Sequence, residues 1–391
     1  MIDERASVQR VSLVTIAREW TRIGCIGFGG PPTHITLLRR LCVEQRQWIE
    51  ERDFEDGIAA ANLFPGPAST QLAIYCAWRL RRTAGALVGG VCFIVPGLVL
   101  ILALSVLFLD RHAPSWALGA AAGAGAVVPA IALNAARSLM PASRERAGTR
   151  RVARARWMSY VVIGAVAPAV AGSYLVLVLV ACGLLEIAVE GWESKSSSGL
   201  ARAMSPAVIG HVGVAGGLGA LAWVALKVGA LSYGGGFVIV PLMQHDVVST
   251  YHWMSGTQFL SAVALGQLTP GPVVQTVAAV GYVADGIGGG LLAALIVFTP
   301  SFLFVLAGAP HFDRVRTNTT VQSFFRGAGP AVIGAIAGSA IPLARSFTHL
   351  WQIPVLVAAI LLLWVFRRSV VGCLLAAGIV GLLLALSGVP V

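Results

Sequence analysis

Three uninterrupted apolar stretches of the chain are each long enough to cross a lipid bilayer as a helix. They are Ala84–Leu109, Ala117–Ala136 and Gly286–Gly308. A spanning helix needs roughly 20 apolar residues to cover about 30 Å of hydrocarbon. Only 12% of the chain is charged, which is roughly half the charged fraction of a typical globular protein. This composition excludes a soluble enzyme, a disordered chain and a nucleic-acid binder, and it predicts an all-α polytopic membrane protein.

Other apolar segments are interrupted by glycine and proline. The four main breaks are Gly27–Pro32, Pro65–Pro67, Gly234–Gly236 and Pro270–Pro272. A break inside the bilayer leaves backbone N–H and C=O groups unpaired, which costs several kcal/mol for each group in hydrocarbon. Such breaks are tolerated where they line a cavity or are buried in protein. We therefore expect broken or re-entrant helices at these Gly-Gly and Pro-Gly-Pro motifs.

The two halves of the chain are related by an internal repeat. Shifting the sequence by 205 residues aligns Arg22–Gly85 with the second half without a gap. The shift matches Trp48 with Trp253 and superposes the two Pro-Gly-Pro triplets. Chance would hardly match tryptophans and both triplets at one offset. We expect a first repeat at residues 1–189, a polar linker at 190–205 and a second repeat at 206–391.

The distribution of arginine predicts that the two repeats lie upside down relative to each other. The first half has basic loops at 79–82 and 137–156, whereas the corresponding loops of the second half keep only Arg345. Cytoplasmic loops of membrane proteins carry the excess of Lys and Arg. The pattern therefore predicts two inverted-topology repeats of about five transmembrane helices each, with one re-entrant Pro-Gly-Pro hairpin per repeat. Inverted repeats are typical of secondary transporters.

The glycine breaks are candidate anion sites. A half-helix that restarts after a break directs free N–H groups and the positive end of its dipole into the cavity. Pro31, Pro32 and Pro67 lie where a second half-helix would begin, a position that favours proline. The alternative is that these residues only permit close helix packing or kinks. The pairing of the breaks between the repeats favours the anion site.

Neutral polar side chains and two cations accompany the breaks. The hydroxyl and amide groups beside the triplets are suited to binding an oxyanion without a metal, although such hydroxyls also bond to their own helix backbone. Arg22 and Lys227 occupy the same repeat position. A cation within a membrane is expensive and is a functional candidate, so the two could neutralise a divalent anion between the halves. The alternative is that both side chains extend to the membrane interface.

Few residues are suited to proton transfer or catalysis. His34, His211 and His245 could titrate near neutral pH, and Asp246 is one of few acids in the second half. We take His34, His245 and Asp246 as the proton-coupling candidates. The sequence contains no H-E-x-x-H zinc motif, G-x-S-x-G element, Walker A loop or Rossmann fingerprint. We therefore expect no metal, no cofactor and no enzymatic activity.

The motifs together resemble the chromate ion transporter family in its long two-domain form. Phe28–Ile35 (FGGPPTHI) and Asn62–Ala73 (NLFPGPASTQLA) are similar to the first domain of that family. Ser232–Phe237 (SYGGGF) and Gln267–Pro272 (QLTPGP) are similar to its second domain. The resemblance covers nearly the whole chain.

The resemblance implies an inner-membrane carrier that exports chromate, a tetrahedral dianion shaped like sulfate, and so confers chromate resistance. It also implies that the proton-motive force drives export. The expected partners are a chromate-like or sulfate-like oxyanion and the lipid bilayer, with a homodimer left open and no nucleic acid. Three alternatives remain: a sulfate importer or exchanger of the same architecture, a passive channel, and an integral-membrane enzyme.

The motif residues and their neighbours make up the predicted substrate site. The residues expected to contact the oxyanion are Arg22, Phe28, Gly29, Gly30, Thr33, His34, Asn62, Pro65, Gly66, Pro67, Ser69, Thr70, Gln71, Lys227, Tyr233, Gly234, Gly235, Gly236, Gln267, Thr269, Pro270, Gly271, Pro272, Gln275 and Thr276.

Overall fold

A computed structural model of the chain describes residues 11–63, 66–110, 113–195, 217–232, 237–308 and 318–390. Within these ranges the chain forms fourteen α-helices and no β-strand. The all-α prediction is therefore confirmed.

The first half contains seven α-helices. They are α1 (Leu13–Ile26), α2 (Pro31–Arg39), α3 (Glu51–Leu63), α4 (Ala68–Phe108), α5 (Ser115–Arg146), α6 (Arg151–Val170) and α7 (Leu175–Lys195). A π-helical turn (Arg40–Gln45) continues α2, and a 3-10 turn (Gly172–Tyr174) separates α6 from α7. Because α7 extends to Lys195, the first residues of the predicted linker are helical, and the remainder of that linker falls outside the described residues.

The second half repeats this order of elements. Its helices are α8 (Leu218–Leu231), α9 (Ile239–Gln244), α10 (Gly256–Leu268), α11 (Thr276–Gly308), α12 (Thr319–Arg345), α13 (Gln352–Trp364) and α14 (Val370–Leu386). A π-helical turn (His245–Thr250) follows α9, and a 3-10 turn (Val273–Gln275) precedes α11.

Five helical segments of the described chain are long and apolar enough to cross a membrane. They are Ala68–Phe108, Ser115–Arg146, Leu175–Trp192, Val273–Gly308 and Thr319–Arg345. Three shorter apolar helices, α8, α13 and α14, accompany them. These lengths confirm a polytopic membrane protein, while the number of crossings in each half stays a prediction.

Helices end where the glycine and proline motifs predict. The gap between α1 and α2 contains Gly27–Gly30, and the gap between α3 and α4 contains the first Pro-Gly-Pro triplet. The second triplet separates α10 from the 3-10 turn that leads into α11. The Gly234–Gly236 motif lies outside the described residues, between the end of α8 and the start of α9.

Local backbone features recur between the halves at nearly constant spacing. The two π-helical turns begin at Arg40 and His245, which are 205 residues apart. The long helices α4 and α11 are each kinked by non-helical dihedral angles, at Arg81 and Asp285, which are 204 residues apart. The offset between the repeats therefore changes from 205 to 204 residues before these kinks. The ungapped alignment kept the offset of 205 as far as Gly85. The matched features support the duplication, and the inverted orientation stays a prediction.

Close backbone contacts hold each short broken helix against a long one. A Cβ atom at Gly24 of α1 would lie 2.6 Å from the carbonyl oxygen of Phe93 in α4. The repeat-related Gly229 of α8 packs in the same way against the carbonyl of Val297 in α11. Only glycine allows backbones to approach this closely. These contacts hold α1 against α4 and α8 against α11.

Candidate functional site

The two halves meet at the carbonyl oxygen of Gly27, in the break that follows α1. Two donors converge on this oxygen: the ring Nε2–H of His34 at 2.8 Å and the backbone N–H of Gly271 at 3.0 Å. His34 is fully buried, and its ring packs edge-on against Phe93 with centroids 5.0 Å apart. Because a carbonyl oxygen only accepts hydrogen bonds, Nε2 of His34 carries a proton. The second Pro-Gly-Pro triplet is thereby joined to the first glycine break.

The start of α2 differs from the expected anion-binding terminus. Pro31 and Pro32 occupy the first two helical positions and have no N–H group. The N–H of Thr33 donates to the carbonyl oxygen of Gly30 at 3.1 Å. The first three positions of α2 therefore offer no free backbone donor. The structure corrects the expectation that this half-helix directs N–H groups at an anion.

The second Pro-Gly-Pro triplet is packed against α4. The side-chain amide of Gln275 donates from Nε2 to the carbonyl oxygen of Ile94 at 2.8 Å, and this bond is buried. Gly97, one turn further along α4, approaches the carbonyl of Pro270 and the Gln275 side chain so closely that no Cβ atom would fit. This contact connects the second half to the middle of a long first-half helix.

The first Pro-Gly-Pro triplet is packed in a corresponding way against α11. Gly66 has a φ of 126°, and a Cβ atom there would lie 3.4 Å from Oγ of Ser301. After the triplet, the N–H groups of Thr70 and Gln71 both donate to the carbonyl oxygen of Pro67 at 3.0 Å. No side chain of the described residues caps the start of α4. The positive end of the first segment of α4, which runs from Ala68 to the kink at Arg81, therefore lies at this break.

Buried polar atoms without hydrogen-bond partners lie on the residues around these breaks. Among the described residues they include Nδ1 of His34, Oγ1 of Thr70, Nε2 of Gln267, Oε1 of Gln275 and Oγ of Ser301. Leaving a buried polar group unpaired costs roughly 1–3 kcal/mol, so a concentration of them needs an explanation. Thr70, Gln267 and Ser301 supply donors, which suit an anion, whereas Nδ1 of His34 and Oε1 of Gln275 are acceptors.

A cavity of about 400 Å³ opens beside the first triplet and lies between the halves. Its wall includes Pro31 of α2, Ala68 at the start of α4 and Ile333 of α12. Arg146, near the end of α5, contributes a cation, and Phe237 reaches the cavity from the second half. The cavity therefore connects the start of α4 with the arginine-rich end of α5.

The repeat-related cations Arg22 and Lys227 have different surroundings. The Arg22 side chain is 62% exposed and pairs with Glu19 at 3.3 Å, and Glu19 also pairs with Arg46 at 3.4 Å. Lys227 is 9% exposed and forms a buried ion pair with Asp246. The two cations therefore share a repeat position but differ in exposure and in partner.

Three further groups of predicted residues differ in their surroundings. Thr269 and Thr276 are buried, but their hydroxyls donate to their own backbone, at Gly266 (3.3 Å) and Val273 (2.9 Å). His245 is exposed, and its ring packs against Gly172. The predicted residues that lie outside the described part of the chain are Pro65, His211, Tyr233, Gly234, Gly235 and Gly236.

Sequence reasoning missed Ser301, which the structure brings to the first triplet. A signal for it was present, because an offset of 204 aligns Pro300-Ser301 with Pro96-Gly97. Both prolines lie inside long helices, α11 and α4.

A second polar cluster was also missed, at the end of α7. Glu186 is buried, pairs with Arg156 at 3.2 Å and accepts a hydrogen bond from the hydroxyl of Tyr160 at 2.9 Å. Glu190 pairs with Arg326 of α12 at 2.9 Å. These groups border a second cavity of about 410 Å³. The arginines near residue 150 therefore do more than set topology, since one of them neutralises a buried acid.

The described residues contain no group of three His, Cys, Asp or Glu side chains placed to hold a metal ion. The polar groups of the breaks are instead neutral hydroxyls, amides and one imidazole.

Comparison with known proteins decides the family. The family model described as "Chromate transporter" matches residues 14–187 and again residues 219–382. The chain belongs to the chromate transporter family. The chromate transport protein of Cupriavidus metallidurans is 33% identical over 339 residues, which cover 83% of this chain and 80% of that protein.

Two further relatives of this chromate transporter family member extend over similar lengths. The probable chromate transport protein of Synechococcus elongatus is 29% identical and covers 86% of both chains. The chromate transport protein of Pseudomonas aeruginosa is 29% identical, covering 92% of this chain and 89% of that protein. No solved structure matches the chain.

Proposed function

We propose that this member of the chromate transporter family is a secondary transporter that exports chromate across the inner membrane and so confers chromate resistance. The observation that carries the proposal is the concentration of buried, unpartnered donors at the first Pro-Gly-Pro triplet, namely Thr70 and Ser301. These donors lie where two halves of the chain meet, which is where inverted-repeat transporters bind substrate.

The chemistry of these groups suits a tetrahedral oxyanion. Chromate presents four oxygen atoms that accept hydrogen bonds and carries no proton to donate when it is a dianion. The hydroxyls of Thr70 and Ser301 can each donate one bond to it. The start of α4 adds the positive end of its dipole. The N–H groups of Thr70 and Gln71 there already donate to the carbonyl oxygen of Pro67. Neutral donors of this kind can bind an oxyanion and still release it during transport.

Access is proposed from the cytoplasm through the 400 Å³ cavity. Arg146 at its wall is the last residue of α5 and belongs to the basic segment 137–156, which the positive-inside rule assigns to the cytoplasm. Anions would be attracted to this side and reach Ala68, at the start of α4. Lys227 is a second cation, and it contacts the substrate only after it separates from Asp246.

The membrane potential favours export. Moving one charge through 100 mV is worth about 2.3 kcal/mol, and a dianion gains twice that when it leaves a negative interior. Proton coupling would use His34, His245 and Asp246. His34 is placed well for this role because its Nε2–H is bonded to Gly27 and its buried Nδ1 atom remains open to a proton.

Sulfate is the second candidate substrate, because the same donors would bind any tetrahedral dianion of similar size. The relatives named as chromate transport proteins favour chromate. Competition decides between them: excess sulfate would abolish chromate transport by a general oxyanion carrier and leave that of a selective one unchanged.

Everted inner-membrane vesicles test the proposal. Vesicles that contain the protein should accumulate chromate when an interior-positive potential is imposed, and vesicles from cells without it should not. The proton gradient is then collapsed while the membrane potential is held constant. Chromate flux through a proton-coupled carrier should fall, whereas flux through a passive channel should not. Equal accumulation by both kinds of vesicle would contradict chromate export.

A further inference from the structure

The two Pro-Gly-Pro triplets have unequal hydrogen-bonding states. At the second triplet the N–H of Gly271 donates to Gly27, and the Gln275 amide donates to Ile94. The hydroxyl of Thr276, in the following turn, donates to the carbonyl oxygen of Val273. Of the donors beside the second triplet, the N–H of Gly271 and the amide of Gln275 join the two halves, and Thr276 bonds to its own backbone. Nε2 of Gln267 has no partner.

The first triplet keeps its donors. Thr70, in the first turn of α4, is fully buried and its hydroxyl has no partner. Ser301 of α11 is also fully buried and without a partner for Oγ, and it faces Gly66. At the corresponding position of α4 the second triplet meets Gly97, which has no side chain. A hydroxyl from the opposite half thus reaches one triplet only.

Ser301 also departs from the usual behaviour of hydroxyls in these helices. Ser105 of α4 donates to the carbonyl of Ile101 at 2.7 Å, and Thr299 of α11 donates to that of Leu295 at 2.7 Å. Each bond runs back four residues along its own helix, which is the common way to satisfy such a group. Ser301 has no such bond. Its hydroxyl is therefore available to a ligand.

We infer that the carrier has one oxyanion site, at the first Pro-Gly-Pro triplet, and that Ser301 supplies to it a donor from the second half. This inference rests on the proposed function and assigns a specificity residue to it. Thr70 and Ser301 hold two oxygens of the same tetrahedral anion from opposite repeats. The second triplet is a structural joint that binds no anion. Movement of α11 relative to α4 then separates the two donors and releases the anion.

Chromate binding to the purified full-length protein in detergent tests this inference by titration calorimetry. Ser301→Ala should weaken binding by about tenfold or more, as expected for loss of a hydrogen bond to a charged group. Ser301→Cys keeps the size of the side chain with a weak donor and should also weaken binding. The control is Ser105→Ala, which removes an equally buried hydroxyl that is bonded to its own helix.

One threonine beside each triplet tests the assignment of the anion to the first triplet alone. Thr70→Val should weaken chromate binding as Ser301→Ala does, whereas Thr276→Val should leave the dissociation constant unchanged. Thermal unfolding of each variant, compared with wild type, identifies any variant that fails to fold.

The possible outcomes are distinct. Wild-type protein that binds no chromate would refute the proposed function and this inference with it. Wild-type binding that Ser301→Ala and Ser301→Cys leave unchanged would overturn the role of Ser301 alone. Equal loss of binding in Thr70→Val and Thr276→Val would overturn the assignment of a single site.

Discussion

The ring Nε2 atom of His34 lies 2.8 Å from the carbonyl oxygen of Gly27 and donates a hydrogen bond to it. His34 is in α2 and Gly27 is in the break before it, so the ring satisfies a carbonyl that the broken helix leaves open. The same oxygen accepts the N–H of Gly271 from the other half. The His34 imidazole therefore stabilises the contact between Gly27 of the first half and Gly271 of the second. Its Nδ1 atom has no hydrogen-bond partner and can accept a proton.

Substitution of His34 separates its structural role from its proposed proton-coupling role. His34→Phe removes the donor to Gly27 and should destabilise the protein by roughly 1–3 kcal/mol, seen as a lower midpoint of thermal unfolding. His34→Gln keeps an amide donor near the position of Nε2 but cannot titrate. It should unfold near the wild-type temperature and transport chromate without dependence on the proton gradient. Wild-type coupling in His34→Gln would exclude this residue as the proton carrier.

Gly97 should not tolerate even a methyl group. Gly97→Ala places a Cβ atom against the carbonyl of Pro270 and the Gln275 side chain, and overpacking of this kind costs roughly 1–3 kcal/mol. We expect a lower thermal midpoint and weaker transport. Gly288 is the control, because it lies in α11 with no heavy atom within 4 Å of its Cβ position. Gly288→Ala should behave like wild type, and equal effects of both substitutions would contradict the described contact between α4 and the second triplet.

The ion pair between Lys227 and Asp246 makes a testable contrast with Arg22. Removing one partner of a buried pair costs roughly 3–5 kcal/mol, so Lys227→Met and Asp246→Asn should each lower the thermal midpoint, and the double variant should recover much of the loss. Arg22→Ala removes an exposed pair worth about 0–1 kcal/mol, so it should change the thermal midpoint much less.

Transport by the double variant decides what the Lys227 charge does. If Lys227 contacts the anion, the recovered double variant should remain inactive in chromate transport. A stable and fully active double variant would show that the pair only holds α8 against the turn that follows α9.

Membrane topology provides a fourth prediction. Thr83 and Ile287 are both exposed, are 204 residues apart and follow the kinks of α4 and α11. In a background with the exposed Cys25 replaced, Thr83→Cys should react with a membrane-impermeant maleimide from the cytoplasmic side and Ile287→Cys from the opposite side. Reaction of both positions from one side would contradict the inverted arrangement.

Sequence patterns predicted the helices and their breaks because both depend on local chemistry. The apolar lengths gave α4, α5 and α11, and the Gly-rich and Pro-Gly-Pro motifs marked where helices stop. The repeat alignment also predicted that equivalent features would recur in the second half. The helices and their breaks depend on neighbouring residues, and the repeated features depend on a single offset along the chain.

Contacts between distant residues could not be predicted in the same way. Ser301 reaches Gly66 and Gln275 reaches Ile94 only because α4 and α11 cross, and a single sequence does not specify that crossing. The repeat alignment also suggested that Arg22 and Lys227 were equivalent. Their partners differ because Glu19 and Asp246 have no counterparts at the matching positions, where Val224 and Leu41 stand.

The most direct test of chromate export is potential-driven uptake of labelled chromate by proteoliposomes that contain only the purified protein. The potential is set by a potassium gradient with valinomycin, at equal pH on both sides. We expect accumulation above that of protein-free liposomes when the interior is positive, and reduced uptake when the sign is reversed, because a dianion carries charge across the membrane. Uptake no greater than that of protein-free liposomes at either sign would contradict chromate export.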